Sequence, residues 1–317
     1  MNSGSVVTRN RGTHIFDVIR AKQISGGYLG ENPGRDYYVN NISGSDSMNG
    51  RSWKRAFNEI AAAITASEAH RALKPTLNEY IRNRIFVQGT GTPYAALTAL
   101  PNYCDIIGVG APAQGNGAGI ARIGASGADG IAGAARGLGL YNLQFISGGE
   151  FYCADFTNLL RSAIEDCAFF AGTDGQLGGV RFSTSSGGNR ILRNHWGSVV
   201  AHSNFVTGML IQGPGFDHNR IEENFIQGIA KGVFVESTVT GGGWTVFKDN
   251  VIGDINGEGC ALGIDDDLAA SGEWVATAIV YAKNHIIATT NATLVTGADT
   301  RFVGNMSGHA YAAATAS

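Results

Sequence analysis

Charge is scarce in this chain: 15% of its 317 residues are Asp, Glu, Lys or Arg, against about 25% in an average globular protein. The formal net charge is −3, and no Lys/Arg run exceeds the pair Lys54 and Arg55. The basic footprint of a nucleic-acid binder and the polybasic anchor of a membrane-surface protein are therefore both missing. Proline occurs only six times and there is no Gly-X-Y period, which excludes collagen. There are four cysteines and no CxxC pair. Cys104, Cys153 and Cys167 stand among apolar or strand-forming neighbours, so the expectation is reduced, buried thiols acting as small hydrophobes. No apolar stretch approaches the ~18 residues of a membrane span. Residues 1–7 lack the apolar core of a secretory signal, so the chain is expected to fold in the compartment where it is made.

What is abundant is glycine, 46 residues in all, roughly twice the usual share of about 7%. Together with 44% hydrophobic residues, this composition suggests many short strands joined by tight turns around a large core. Residues 1–35 are polar and broken by glycine and Pro33, interrupted by Ile15, Phe16, Val18 and Ile19; they resemble an arm that needs a surface to lie on. Residues 37–40 suggest a strand, and 43–50 a turn-rich loop. Trp53, Phe57, Ile60 and Ile64 recur at helical spacing, which predicts a helix over 52–73, started by Ser52 and stopped by Pro75. Three regions follow: an arm over 1–35, an opening strand and helix over 36–80, and a strand-rich body over 81–317.

The body repeats a pattern, apolar-x-x-Asn-x-apolar. It occurs with Asn194 between Ile191 and Trp196, Asn224 between Ile221 and Ile226, Asn250 between Phe247 and Ile252, and Asn284 between Tyr281 and Ile286. It recurs at Phe302 and Asn305. Two earlier copies carry Leu143 and Cys167 at the key position. The spacings are 24, 27, 30, 26, 34 and 21 residues. A strand-built period of this size indicates a β-solenoid, in which stacked coils bury an inner face that no coil buries alone. The Asn is expected at a bend, where it tolerates the left-handed conformation and where stacked amides form a structural ladder through Asn194, Asn224, Asn250, Asn284 and Asn305. Uneven spacing implies loops of different length, over 172–179, 238–243 and 256–272.

Residues 37–39, Gly44 to Asp46, Asn49, Gly50, Ser52, Trp53, Ala56 and Phe57, followed by the Ile60 to Ile64 segment, resemble the opening of many pectate-lyase-like right-handed parallel β-helix proteins. Ile85 to Val87 with Gly89, Pro93 with Tyr94, and Ile106 to Gly110 are similar to their first rungs. The resemblance spans about residues 36–310. It implies an all-β, right-handed parallel β-helix of roughly ten rungs, with an N-terminal capping α-helix and a short N-terminal arm. Such proteins include polysaccharide lyases, glycoside hydrolases, epimerases and viral tailspikes, and the fold does not choose among them. The lyases' arginine motif with flanking prolines is not found. Of the glycosidase set, only Gly172 to Asp174 and the pair Asp265 and Asp266 are present, with no Gly-His-Gly after them.

The strongest acidic cluster is Asp265, Asp266 and Asp267, with Asp254, Glu258 and Glu273 nearby in sequence. Paired carboxylates at suitable separation serve glycoside hydrolysis, and three on a loop suit Ca²⁺. The same run also fits a solvated turn between coils. Strand alternation would place Asp265 and Asp267 on one face. Trp244 and Trp274 are candidate glycan-contacting aromatics on loops. His195, His202, His218 and His285 match no metal-ligand spacing, and His195 and His285 each follow a repeat Asn. Gly115, Gly117 and Gly119 lack the Gly-Lys-Ser/Thr of a phosphate loop, and the sequons at Asn41, Asn291 and Asn305 are expected to be fortuitous. No cofactor and no metal are expected.

Three functions remain open. One is a bacteriophage virion protein (a tailspike, head fibre or capsid-decorating appendage), localised to the virion. Its residues 1–35 would dock other virion proteins, and its resemblance to phage appendages implies a homotrimer. The second is a polysaccharide lyase or hydrolase using the acidic segment. The third is a non-catalytic carbohydrate-binding module.

Overall fold

The computed structural model describes residues 34–73, 81–115, 117–124, 127–172, 176–197, 205–228, 230–240, 243–253, 260–267, 279–288, 291–295 and 300–309. The arm expected over 1–35 lies almost wholly outside them. Strands dominate, and they form three sheets of ten, eight and seven members. The first sheet runs from Asp36–Val39 to Arg301–Val303, the second from Arg122–Gly124 to Met306–His309, and the third from Ile131–Arg136 to Asn291–Val295. From Gly139 onward the chain visits first, second and third sheet in turn, then returns to the first one strand further along. The pairings between neighbouring strands are parallel. This is an all-β parallel solenoid. No helix among the described residues is long and apolar enough to cross a membrane.

Register makes columns. In the first sheet Ile106, Leu140, Ile164, Ile191, Ile221, Phe247 and Tyr281 stand directly over one another, all at most 2% exposed. In the second sheet Phe145, Phe169 and Trp196 stack with ring centroids 5.3 and 5.0 Å apart. In the third, Phe156, Phe182, Ile211 and Val235 form the matching column. Such offset-stacked rings add to the apolar burial that closes the core. Where the second and third sheets approach each other, side chains give way to glycine. Gly179, Gly208, Gly232 and Gly263 share one column, and a Cβ on Gly179 would lie 2.3 Å from Trp196 Cδ1.

The bend from first to second sheet holds the expected ladder. The backbone N–H groups of Cys167, Asn194, Asn224, Asn250 and Asn284 each donate to the Oδ1 of the next Asn along the stack, at 2.8 to 3.0 Å. From Asn194 to Asn284, each Nδ2 donates to that same Oδ1 and to a carbonyl one rung back. Asn305 ends the ladder with its Nδ2 on the Tyr281 carbonyl. Cys167 uses its thiol in the amide's place, donating to Leu140 O. One detail differs from expectation. The left-handed residue is not the Asn but the one before it: Asn142, Asp166, Arg193, Glu223, Asp249, Lys283 and Gly304, with φ between 51° and 62°. The turn is made there, which leaves the Asn free to aim its amide into the coil.

A second ladder lines the bend from third to first sheet. Left-handed Gly137, Arg161, Gly188, His218 and Trp244 precede Leu138, Ser162, Asn189, Asn219 and Thr245, whose backbone N–H groups and side-chain oxygens link successive rungs at 2.9 to 3.2 Å.

The helix is shorter than its spacing predicts. α1 spans Ile60–Ala72, and Trp53–Arg55 is a separate 3-10 turn. Phe57 is drawn into extended pairing, its N–H donating to Tyr38 O and its carbonyl accepting from Asn40 N, both at 2.9 Å. That pairing forbids a helix through 56–58. Asp46 Oδ1 then accepts from the N–H groups of Asn58 and Glu59, satisfying donors beside the helix start. Trp53 sits edge-on to Tyr38, 4.8 Å away, instead of on a buried helical face. α1 rests on the first strands, with Tyr37 OH donating to Ala66 O and Asn83 Nδ2 to Ser67 O.

Replacing Asn224 by Ala removes the acceptor of two Asn194 donors and the two bonds that its own Nδ2 donates. The expected loss of stability is roughly 1–3 kcal/mol, set by the groups left buried and unpaired. Asn305→Ala, at the half-buried end of the ladder, is expected to cost less. Denaturant-unfolding midpoints of the two variants check the order.

Candidate functional site

Asp265 and Asp266 belong to the strand Leu262–Asp266 of the third sheet, not to a solvated turn. Alternation along that strand sends neighbouring carboxylates to opposite faces. Asp266 takes the inward position, next in column after Phe156, Phe182, Ile211 and Val235, and is fully buried. Tyr281 OH donates to its Oδ2 at 3.1 Å and Thr300 Oγ1 at 3.0 Å. Burial, then the charge of Asp266, pushes the Tyr281 phenol well above its ordinary range. Asp265 faces outward and meets Lys231 Nζ at 2.5 Å, and that ammonium lies 3.2 Å from the centre of the Phe234 ring. Asp267 follows the last residue of the strand and donates its backbone N–H to Val235 O. Asp265 and Asp266 therefore have the sheet between them, whereas two carboxylates that work on one glycosidic bond must flank it. A three-carboxylate Ca²⁺ site is broken by the same alternation. Asp254, Glu258, Glu273 and Trp274 lie outside the described residues. Among the described residues, no group of three or more His, Cys, Asp or Glu is placed to hold a metal ion.

Trp244 is 69% exposed and has φ 62°, a conformation uncommon for a bulky residue. Among the described residues it ends the corner row Arg161, Gly188, His218 and Trp244, which lie on successive rungs and are exposed. The row leaves the Trp244 indole open to solvent, one rung beyond the exposed His218. His195 lies outward on the second sheet between the rings of Phe170 and Phe225, at 5.6 and 5.8 Å, and burial lowers its pKa. His285, in the same column, is exposed. His202 lies outside the described residues.

The outer face of the first sheet carries charge that sequence reasoning did not assemble. Glu165 accepts from both Arg190 and Arg193, and Arg193 also grips Asp166 at 2.8 and 2.9 Å. Arg82 clasps Asp105. Tyr141 lies in the neighbouring column, its phenol raised first by burial and then by the Asp105 charge. Arg84 binds Asp36 and covers the Phe86 ring at 5.6 Å. These partners sit 23 to 48 residues apart. Only the register shows that each lies on a neighbouring rung.

The four cysteines are free and buried. Burial pushes the thiols of Cys104, Cys153 and Cys167 up to about 12, which makes them poor nucleophiles. Compared with protein families, curated proteins and solved structures, the chain matches none.

Two measurements follow from these groups. Asp266→Leu strips Tyr281 OH of its buried acceptor and is expected to cost roughly 1–3 kcal/mol, of which Tyr281→Phe in the same chain recovers part. A double-mutant unfolding cycle with no coupling would show that this contact contributes nothing. The thiols, whose ordinary pKa is 9.0, remain protonated in the fold up to about 12. The unfolded chain thus loses thiol protons first, and stability is expected to fall as pH rises through that window. The denaturant midpoint between pH 8 and pH 11 reads this decline, and a triple Cys→Ala variant should flatten it.

Proposed function

We propose that this chain is a structural solenoid of a bacteriophage virion: a tailspike, head fibre or capsid-decorating appendage that assembles as a homotrimer and docks other virion proteins through residues 1–35. The observation that carries the reading is where the polar side chains are spent. Two ladders bind rung to rung, the outward ion pairs join neighbouring strands of the first sheet, and Asp266 is tied inside the core. Such a rod is built for stiffness. The finer architecture proposed with it is a right-handed coil of roughly ten rungs, its N-terminal end closed by α1, as the resemblance implies.

A second reading, contact with host-surface glycan, is favoured by Trp244. A sugar ring stacks on a single exposed indole, whereas a protein interface usually has a contiguous apolar core. Polysaccharide cleavage has less support, because the best acidic pair is split across a strand.

Sedimentation of the purified chain and mass spectrometry of purified phage particles test the main reading. A trimer that is present in particles is expected; a monomer absent from every particle preparation would overturn it. Trp244→Ala is expected to weaken binding to a glycan array at least tenfold if the second reading holds, with no oligosaccharide released by either form.

A further inference from the structure

Among the ion pairs of the described residues, the nearly buried carboxylates are held by arginine, and one pair departs from that. Where the carboxylate is nearly buried, arginine supplies enough donors for both oxygens. Asp155, with its side chain 10% exposed, receives Arg181 at 3.0 and 2.5 Å, one nitrogen to each oxygen. Glu165, 9% exposed, has one oxygen on Arg190 and the other on Arg193. Where the partner is lysine, as in Lys248 and Asp249, both side chains are open to water at 43% and 42% exposure. The pair Lys231 and Asp265 combines a lysine with the most deeply buried acid of the set. The Asp265 side chain is 5% exposed. Its Oδ2 meets Lys231 Nζ at 2.5 Å, and its Oδ1 is buried with no hydrogen-bond donor among the described residues.

A carboxylate held out of water with one oxygen unpaired is costly. Lysine also brings what arginine lacks, a primary amine able to act as a nucleophile. Here the amine is already in contact with the carboxyl group, and the Phe234 ring shields one side of it. The two residues come from adjacent strands, Lys231–Val235 and Leu262–Asp266, with Lys231 opposite Leu262 in the register.

We propose that Lys231 and Asp265 condense to an isopeptide bond that staples these two rungs covalently. One proton passes from the ammonium to Oδ2 along the existing contact. The free amine attacks Cγ, forming the Nζ–Cγ bond. The Cγ–Oδ2 bond breaks, and Oδ2 leaves as water with that proton and a second one from Nζ. No oxidant, reductant or further reactant enters. Oδ1 becomes a neutral amide carbonyl oxygen, which a buried site tolerates better than a charged one. Condensation of free amine and acid is unfavourable in water, but fixed partners react at effective concentrations of about 10⁵ M or more, and the buried site disfavours the returning water. The bond would strengthen a shaft, yet it does not depend on the virion reading and stands or falls separately from it.

Intact-mass measurement of the purified full-length chain tests the proposal. The expected mass is lower than that of the sequence by one water. A protease digest is expected to yield one branched product joining the peptides that contain residues 231 and 265. Lys231→Arg keeps the charge and the ion pair but cannot form the bond, so it should show its full sequence mass; circular dichroism checks that it folds. A wild-type chain that keeps its full mass after prolonged incubation overturns the proposal, as does a water loss that the digest places anywhere else.

Discussion

Stacking parallel strands in register sets each side chain about 4.8 Å from the residue that holds the same position one rung away. Every column is then a confrontation of like with like, and only some residues endure it. Apolar side chains do, which is why Ile164, Ile191 and Ile221 follow one another in the first sheet. An amide does better, because it donates and accepts at once: Asn224 receives Asn194 and gives to Asn250 with the same geometry. A charge does not. Arg190 and Arg220 are register partners, and each is steadied by an acid, Glu165 for one and Glu222 for the other. The ladders, the ring stacks and the ion pairs are three answers to one constraint.

That constraint also decides what could be seen in advance. The first ladder was legible because one residue type, Asn, is kept at five of its rungs, so that the pattern survives spacings of 21 to 34 residues. The second was missed because the same role passes among Ser162, Asn189, Asn219 and Thr245; any side-chain oxygen of about that reach serves. The column of Gly179, Gly208, Gly232 and Gly263 was equally hidden. In a chain with so much glycine, what distinguishes the first three is what closes on them: the Trp196 ring on Gly179, backbone on Gly208, and backbone with the Ile252 side chain on Gly232. The helix start was misplaced for a related reason. Phe57 fits a helical spacing, but its backbone groups are claimed by Tyr38 and Asn40, and a tertiary strand pairing outweighs a local periodicity.

The candidate site shows the reverse situation, a signal that was visible and misleading. Three consecutive Asp residues resemble a cluster only while the local structure is unknown. Once 262–266 is a strand, alternation assigns Asp265 and Asp266 to different surroundings, one to the outer face and one to the core. Asp266 is the one acid in a column that otherwise holds Gly133, Phe156, Phe182, Ile211, Val235 and Val295 among the described residues. Its partner Tyr281 belongs to the inner column of the first sheet, where the ring continues the stack between Phe247 and Phe302 at 4.9 and 5.0 Å. The phenol thus packs as an apolar residue along one axis and bonds as a polar one along another, tying the first sheet to the third.

A functional surface on such a rod is a set of columns, not a stretch of chain. The corner row of Arg161, Gly188, His218 and Trp244 gathers residues 83 positions apart from first to last, and the Arg190, Arg193 and Glu165 cluster spans two rungs. No motif scan along the chain assembles either. The same geometry bears on how the polar groups are used. A side chain spent on its neighbouring rung is not available to a substrate, and in this solenoid the carboxylates best shielded from water, Asp155, Glu165 and Asp266, are all spent that way. Asp265 is the exception, with one oxygen engaged and one left over. That leftover oxygen distinguishes the Lys231 contact from the other ion pairs, and it points to chemistry between two rungs of the rod more than to chemistry on a bound ligand.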